Sequence, residues 1–222
     1  MHLVSVNVGR VREFPLDGKQ VRTGIFKAPV QGPVDVTRTG LVGDEQANPL
    51  AHGGPEMALY CYPASNYLHW RSLIPAADLP FGRLGENLTI DSLDEHTVHI
   101  GDVLRIGTPA RGATVQVSMP RIPCAKLGLA AGSPDFVPRF LASLRLGWYL
   151  RVLEQGPIAA DDSLTLLRAD PARLSVYEIA RIRFVDAPSV DACRRALSSV
   201  SLSPKWAKWF SDRIHELSAA PA

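Results

Sequence analysis

A mainly β fold carrying a few helices, with a small helical appendix, is what the sequence predicts for this chain, on three observations. The first two-thirds break into short apolar or alternating runs separated by Gly, Pro and Asp, the punctuation of a β protein. These runs lack long intervening helical patterns, which favours a barrel or compact sandwich over a parallel α/β sheet. After about Asp170 the pattern changes to helical spacing with capping signals. The division expected is a β domain over 1–168 and a three-helix domain over 169–222.

The elements follow in order. Leu3, Val4, Val6 and Val8 open the first strand, and ALYCYP (58–63) reads as another. HTVHIGDVLRIG predicts a hairpin in which Gly101-Asp102 separates Val98 and Ile100 from Val103, Leu104 and Ile106. ATVQVSMP follows, with Val115, Val117 and Met119 on one face, and GWYLRVLEQG and DSLTLLRA read as the last two strands. Two helices interrupt the strands. One lies within 64–74; the other starts at Ser133-Pro134, a good N-cap and first-turn pair because Pro lacks the amide that would go unsatisfied there. In the tail, Ser175-Val-Tyr-Glu178 is a capping box, a second helix spans 189–199, and a third opens at Ser203-Pro204. That third helix spaces Trp206, Trp209, Phe210, Ile214 and Leu217 as a core-facing stripe.

Composition narrows the function classes. With 46% hydrophobic and 21% charged residues the chain is globular in type rather than disordered. A net charge of only +2 does not call for nucleic acid or an anionic membrane, so any anion site must be local. Three widely spaced cysteines without a CxxC pair argue against a disulfide framework and for a reducing compartment. The start lacks the basic and apolar regions of a signal peptide, and no apolar run approaches membrane-spanning length. A cytoplasmic location is expected, with neither nucleic acid nor membrane as partner.

The chemistry concentrates in SMPRIPCAK (118–126). Cys124 follows an apolar strand in a turn stiffened by Pro120 and Pro123, with Arg121 and Lys126 close in sequence. Fixed positive charge stabilises the thiolate, the form that ligates metal or attacks electrophiles. Cys61, in an apolar strand, and Cys193, on a helix face, read as core. A second segment joins GLVGD, ending at Asp44, to AHGG, containing His52, Gly53 and Gly54; glycines let backbone amides approach a ligand. A third, Gly85-Glu86-Asn87, offers Asn87 to a polar heterocycle, although a turn-forming Asn is the plainer reading. The histidines do not cluster, which leaves zinc poorly supported. Residue types alone leave two mechanisms open: a thiolate holding a soft or high-valent metal in an anionic cofactor, or a nucleophile with His52 as base.

Taken together and in order, GLVGDEQA, HGGPEMALYCYP, GENLTIDSL, IGDVLRIG and VSMPRIPCAKL resemble the MOSC family, over roughly residues 1–168. The tail, with LSVYEIARI and SLSPKWAKWF, looks like the three-helix extension of the stand-alone bacterial YiiM-type branch. The resemblance implies a MOSC-type β-barrel and a pyranopterin molybdenum cofactor whose metal is held by Cys124. It further implies reduction of N-hydroxylated compounds such as hydroxylaminopurines, or else carriage of the cofactor or of a persulfide without turnover. Arg121 and Lys126 would then offset the cofactor's charge, with Asp44, His52, Gly53, Gly54, Glu86 and Asn87 as further cofactor-pocket residues. No ferredoxin-type cysteine pattern and no dinucleotide fingerprint is present, so electrons are expected from a separate donor protein.

Overall fold

The computed structural model describes residues 1–16, 18–73 and 79–219. Its strands are β1 (Leu3–Val8), β2 (Arg12–Leu16), β3 (Lys19–Thr23), β4 (Ala28–Pro29), β5 (Val34–Thr37), β6 (Gly40–Leu41), β7 (Leu59–Pro63), β8 (Leu88–Ile90), β9 (Val103–Gly107), β10 (Gly112–Pro120), β11 (Trp148–Glu154), β12 (Gly156–Ile158) and β13 (Leu164–Arg168). Eight of them form one sheet in the order β13-β9-β10-β11-β7-β8-β1-β4, antiparallel except for the β7–β8 pair. The sheet curls until its two ends meet. The Leu3 amide donates to Asp162 O, Asp161 N to Leu3 O, and Leu164 N to Met1 O, which ties the start of β1 to the approach into β13. Unpaired backbone groups at a sheet edge are costly, and closure satisfies them. The expected barrel is thus the observed architecture, with β12-β5-β6 and the β2–β3 hairpin as small sheets beside it.

Two expectations change in detail. Val98 and Ile100 do not form a hairpin with β9. The Ile100 amide donates to Leu174 O and the Val176 amide to Val98 O, so this segment pairs with the entry to the helical tail. Gly101-Asp102 is a tight turn closed by Asp102 N on His99 O, and the true hairpin joins β9 to β10 through Thr108–Arg111. Local turn chemistry was right there, but the partner strand is chosen by tertiary packing. The second interrupting helix begins at Phe136 rather than Pro134, and a helix over Ala125–Ala131 precedes it.

The helices are α1 (Pro49–His52), α2 (Ala64–Leu73), α3 (Ala125–Ala131), α4 (Phe136–Ser143), α5 (Val176–Phe184), α6 (Val190–Ala196) and α7 (Pro204–Ala219). Ile74, the end of the range expected for α2, lies outside the described residues. α2, α3 and α4 cover one side of the sheet through Tyr62, Tyr67, Trp70, Phe136 and Phe140. The tail helices pack elsewhere on it: Val176, Ile179, Cys193, Trp206 and Phe210 share a continuous core with Val115, Val117, Trp148 and Leu150 of the barrel. Ser175 caps α5 by accepting from Glu178 N at 3.0 Å, but the Glu178 carboxylate takes Arg195 instead of closing the box. No helix among the described residues is long and apolar enough to cross a membrane.

Candidate active site around Cys124

β10 ends at Pro120, four residues before the sulfur, and Cys124 occupies the N-cap position of α3. The sequence pointed to a turn here; the helix start adds backbone amides aimed toward the thiol. Cys124 is partly exposed, whereas Cys61 and Cys193 are buried, as expected of core cysteines. Burial by itself would raise the Cys124 pKa. His52 as a hydrogen-bonding neighbour, the charges of Arg121 and His52, and the Lys126 amide outweigh it and bring the thiol down to about 7.

Arg121 is 95% withdrawn from solvent, at 5% exposure. Its Nη1 donates to Leu84 O at 2.6 Å, and its guanidinium lies 4.6 Å from the Tyr60 ring centroid. Burial opposes its charge, but the neighbouring Tyr60, Tyr149 and Cys124 more than offset this. Among the described residues no carboxylate lies within ion-pair distance of Arg121 or Lys126. A buried arginine without a counter-ion is costly unless an anion joins it.

These side chains border a cleft whose walls include His52, Asn87, Arg121, Cys124 and Lys126, five of the nine residues singled out from sequence. The other four stand behind it. The Asp44 side chain is fully buried and acts as a hub, accepting from Gly9 N at 2.8 Å, from Asn87 Nδ2 at 2.9 Å and from Lys27 Nζ. Glu86 turns into the core, where Oε1 accepts from Tyr67, Gly82 N and Thr89, and burial raises its pKa. Gly53 caps α1 by donating to Pro49 O at 3.0 Å, and a Cβ there would stand 2.9 Å from that oxygen. Gly54 has φ +88°. The two glycines thus let the chain reverse from α1 into β7 and hold His52 at the cleft; neither lines it. Asn87 lines the cleft, but its side chain is already engaged, accepting from Tyr60 N and donating to Asp44.

Sequence reasoning missed Lys27, Tyr60 and Tyr149, which also wall the cleft. Lys27 is buried against Asp44, and desolvation lowers its pKa despite that partner. Nothing local marks a lone lysine after a short strand or tyrosines within apolar strands. Only the pairing of β7 with β11, which sets Tyr60 opposite Tyr149, brings the two rings together, with Arg121 over the Tyr60 ring.

The family model for the MOSC domain matches residues 48–165. Among curated proteins, the chain is 38% identical over 215 residues to the uncharacterized protein YflK of Bacillus subtilis (strain 168), covering 97% of this chain and 95% of that one. It is 35% identical over 182 residues, 81% of the chain, to 32% of a longer protein of Gibberella moniliformis named a reductase. Among solved structures, YiiM from Geobacillus stearothermophilus superposes with a TM-score of 0.80 at 30% identity, covering 96% of this chain and 98% of that one.

Proposed function

Since the chain belongs to the MOSC domain family and is YiiM-like along nearly its whole length, we propose that it is a molybdenum-cofactor-dependent reductase of N-hydroxylated compounds, with Cys124 as the metal's thiolate ligand. The observation that carries this reading is the pairing of a partly exposed thiol, lowered to about 7, with a buried arginine that has no carboxylate partner. That donor set fits the group: a thiolate suits a soft or high-valent metal, and an unpaired buried cation suits an anionic pterin phosphate.

When bound, the cofactor supplies two-electron removal of oxygen from nitrogen. The overall change breaks one N–O bond: R–NHOH with two electrons and two protons gives R–NH2 and water. The electrons come from a separate donor protein. The chain's own residues have narrower tasks. Cys124 Sγ ligates, and His52 beside it helps keep that sulfur deprotonated at neutral pH. Arg121 and Lys126 offset anionic charge, while the Asp44–Asn87–Tyr60 bonds hold the opposite wall in place. The reductase name of the fungal relative supports an oxidoreductase reading for the shared segment.

The His52–Cys124 pair also suits a metal-free thiol nucleophile. Among the described residues, however, no side chain other than Cys124 is hydrogen-bonded to His52 to orient it as a base, which favours the ligand reading.

Expression in a cofactor-competent host decides the matter. The wild type should co-purify with molybdenum and pterin and reduce a hydroxylamine with an artificial electron donor. Cys124→Ser should lose the metal yet keep its melting temperature, whereas Cys61→Ser should keep its metal. Wild-type metal content in Cys124→Ser would overturn the assignment. Bound cofactor without turnover would point to a carrier of cofactor or persulfide.

A further inference from the structure

The surface around Cys124 carries cations and apolar groups that the chain's own packing does not use. Lys126 walls the cleft, and Lys205 borders a smaller hollow that shares His52 and Cys124 with it. Among the described residues neither lysine has a carboxylate within ion-pair distance. Of the described residues walling the two concavities, Glu45 is the one carboxylate, and Arg10 and the Val11 amide already engage it.

Lys205 stands in the first turn of α7, where the helix dipole disfavours a cation, and no acidic residue accompanies it there. α5 and α6 follow the favourable pattern, with Glu178 and Asp191 in their first turns and arginines in their last. The position of Lys205 is nonetheless firm, because the Ser203 amide donates to Ser118 O of β10 at 3.0 Å. A lysine held there without a partner is a cost to the fold, and an acidic surface laid against it would remove that cost.

The apolar part is α1. Leu50 is 98% exposed and the helix buries none of its residues. Yet Asn48 walls the cleft while Ala51 and His52 border the hollow, so α1 spans both openings, with one lysine belonging to each. Pro49, Ala125 and Pro204 are exposed next to residues of the same walls. A small apolar centre with a charged rim is the anatomy of a protein contact.

We propose that this mouth is the docking surface of the electron donor, an acidic one-electron carrier protein whose carboxylates meet Lys126 and Lys205 and whose apolar edge covers Leu50. This rests on the reductase reading of Cys124. Two reduced carriers are oxidised per turnover: with R–NHOH and two protons they give R–NH2, water and two oxidised carriers. Each carrier must discharge and leave, which calls for a small, charge-steered contact; redox encounters bury less than about 1,200 Å². Electron transfer also weakens steeply with distance, so the donor's redox group belongs over the openings beside Cys124.

The test uses full-length, molybdenum-loaded protein reducing hydroxylamine. Electrons come from flavodoxin hydroquinone or reduced [2Fe–2S] ferredoxin, both acidic proteins, or from reduced methyl viologen, a small molecule that needs no docking surface. Lys205→Glu should raise KM for the better protein carrier at least about tenfold, and Leu50→Ser at least about threefold. Viologen-driven kcat, molybdenum content and melting temperature should not change. Arg38→Glu alters the net charge equally at the other end of the barrel, beside Gln155 where β11 ends, and should change carrier KM by less than about twofold. Added salt should raise carrier KM in the wild type and less so in Lys205→Glu. A carrier KM within about twofold of the wild type in either Lys205→Glu or Leu50→Ser overturns the surface. So does an equal rise in Arg38→Glu, or a wild type that viologen drives and neither carrier drives. A wild-type dimer in sedimentation, split by Leu50→Ser with carrier KM unchanged, gives the patch to a second copy of the chain and likewise overturns the donor. A loaded wild type that not even viologen drives overturns the reductase reading itself, a result distinct from all the others.

Discussion

Cys124 sits between opposing influences: desolvation favours the neutral thiol, while His52, Arg121 and the Lys126 amide favour the thiolate. Only the thiolate reacts with an alkylating agent, so the cofactor-free protein should be labelled by iodoacetamide at a rate that rises with pH, half-maximal near pH 7. His52→Gln removes a lowering contribution and should move that midpoint upward, toward an ordinary thiol. A midpoint indifferent to His52 would refute the pairing. Cys61 and Cys193, whose pKa values are raised by burial, should resist labelling in the folded protein. Much of this could be read from the chain, because flanking cations and prolines are local facts. His52 was already named from the sequence as a candidate base, but that it stands beside the sulfur from more than seventy residues away is set by the fold.

At the scale of elements, the short α1 and its glycine exit decide where His52 stands. Asn48 Oδ1 accepts from Ala51 N at 3.2 Å at one end, and Gly53 closes the other against Pro49 O. Gly53→Ala drives a Cβ against backbone rather than against a side chain that can move aside. The expected cost is about 1–3 kcal/mol, measured by denaturant unfolding. Displacing α1 should also raise the pH midpoint of Cys124 labelling, as His52→Gln does. An unchanged midpoint would separate the glycine from the site. A glycine pair after a histidine is visible in sequence; its use as a chain reversal rather than as a ligand cradle is not. Gly85 is similar: at φ +89°, with Ile25 Cγ1 only 2.9 Å from where a Cβ would stand, it sends Glu86 inward and Asn87 to the cleft wall. The capping signals of the tail were the most legible elements, since Ser175 and Ser189 each accept an amide three residues on, and Pro204 opens α7 with no amide to leave unsatisfied.

In the whole molecule, barrel and tail share one apolar core, and the tail borders the sulfur. A chain cut after residue 168 would expose Val115, Val117 and Met119 where Trp206, Phe210 and Ile179 now cover that core. Such a truncation should lose cooperative unfolding or precipitate, while the full chain should melt in a single transition by calorimetry. A stable, monomeric 1–168 fragment with a sharp melt would show instead that the β domain folds independently. By itself the sequence determined the β class, the helical tail, the cap residues and the reactive cysteine with its adjacent cations, because each depends on periodicity or on neighbours a few bonds away. Tertiary structure alone decided which strand Val98 and Ile100 pair with, and that Asp44 and Glu86 support the walls rather than line them. It also brought Lys27, Tyr60 and Tyr149 to the walls of the cleft that Cys124 lines. The reason is that barrel closure sets these neighbours through long-range pairings such as β7 with β11, and no local pattern encodes the partner of a strand.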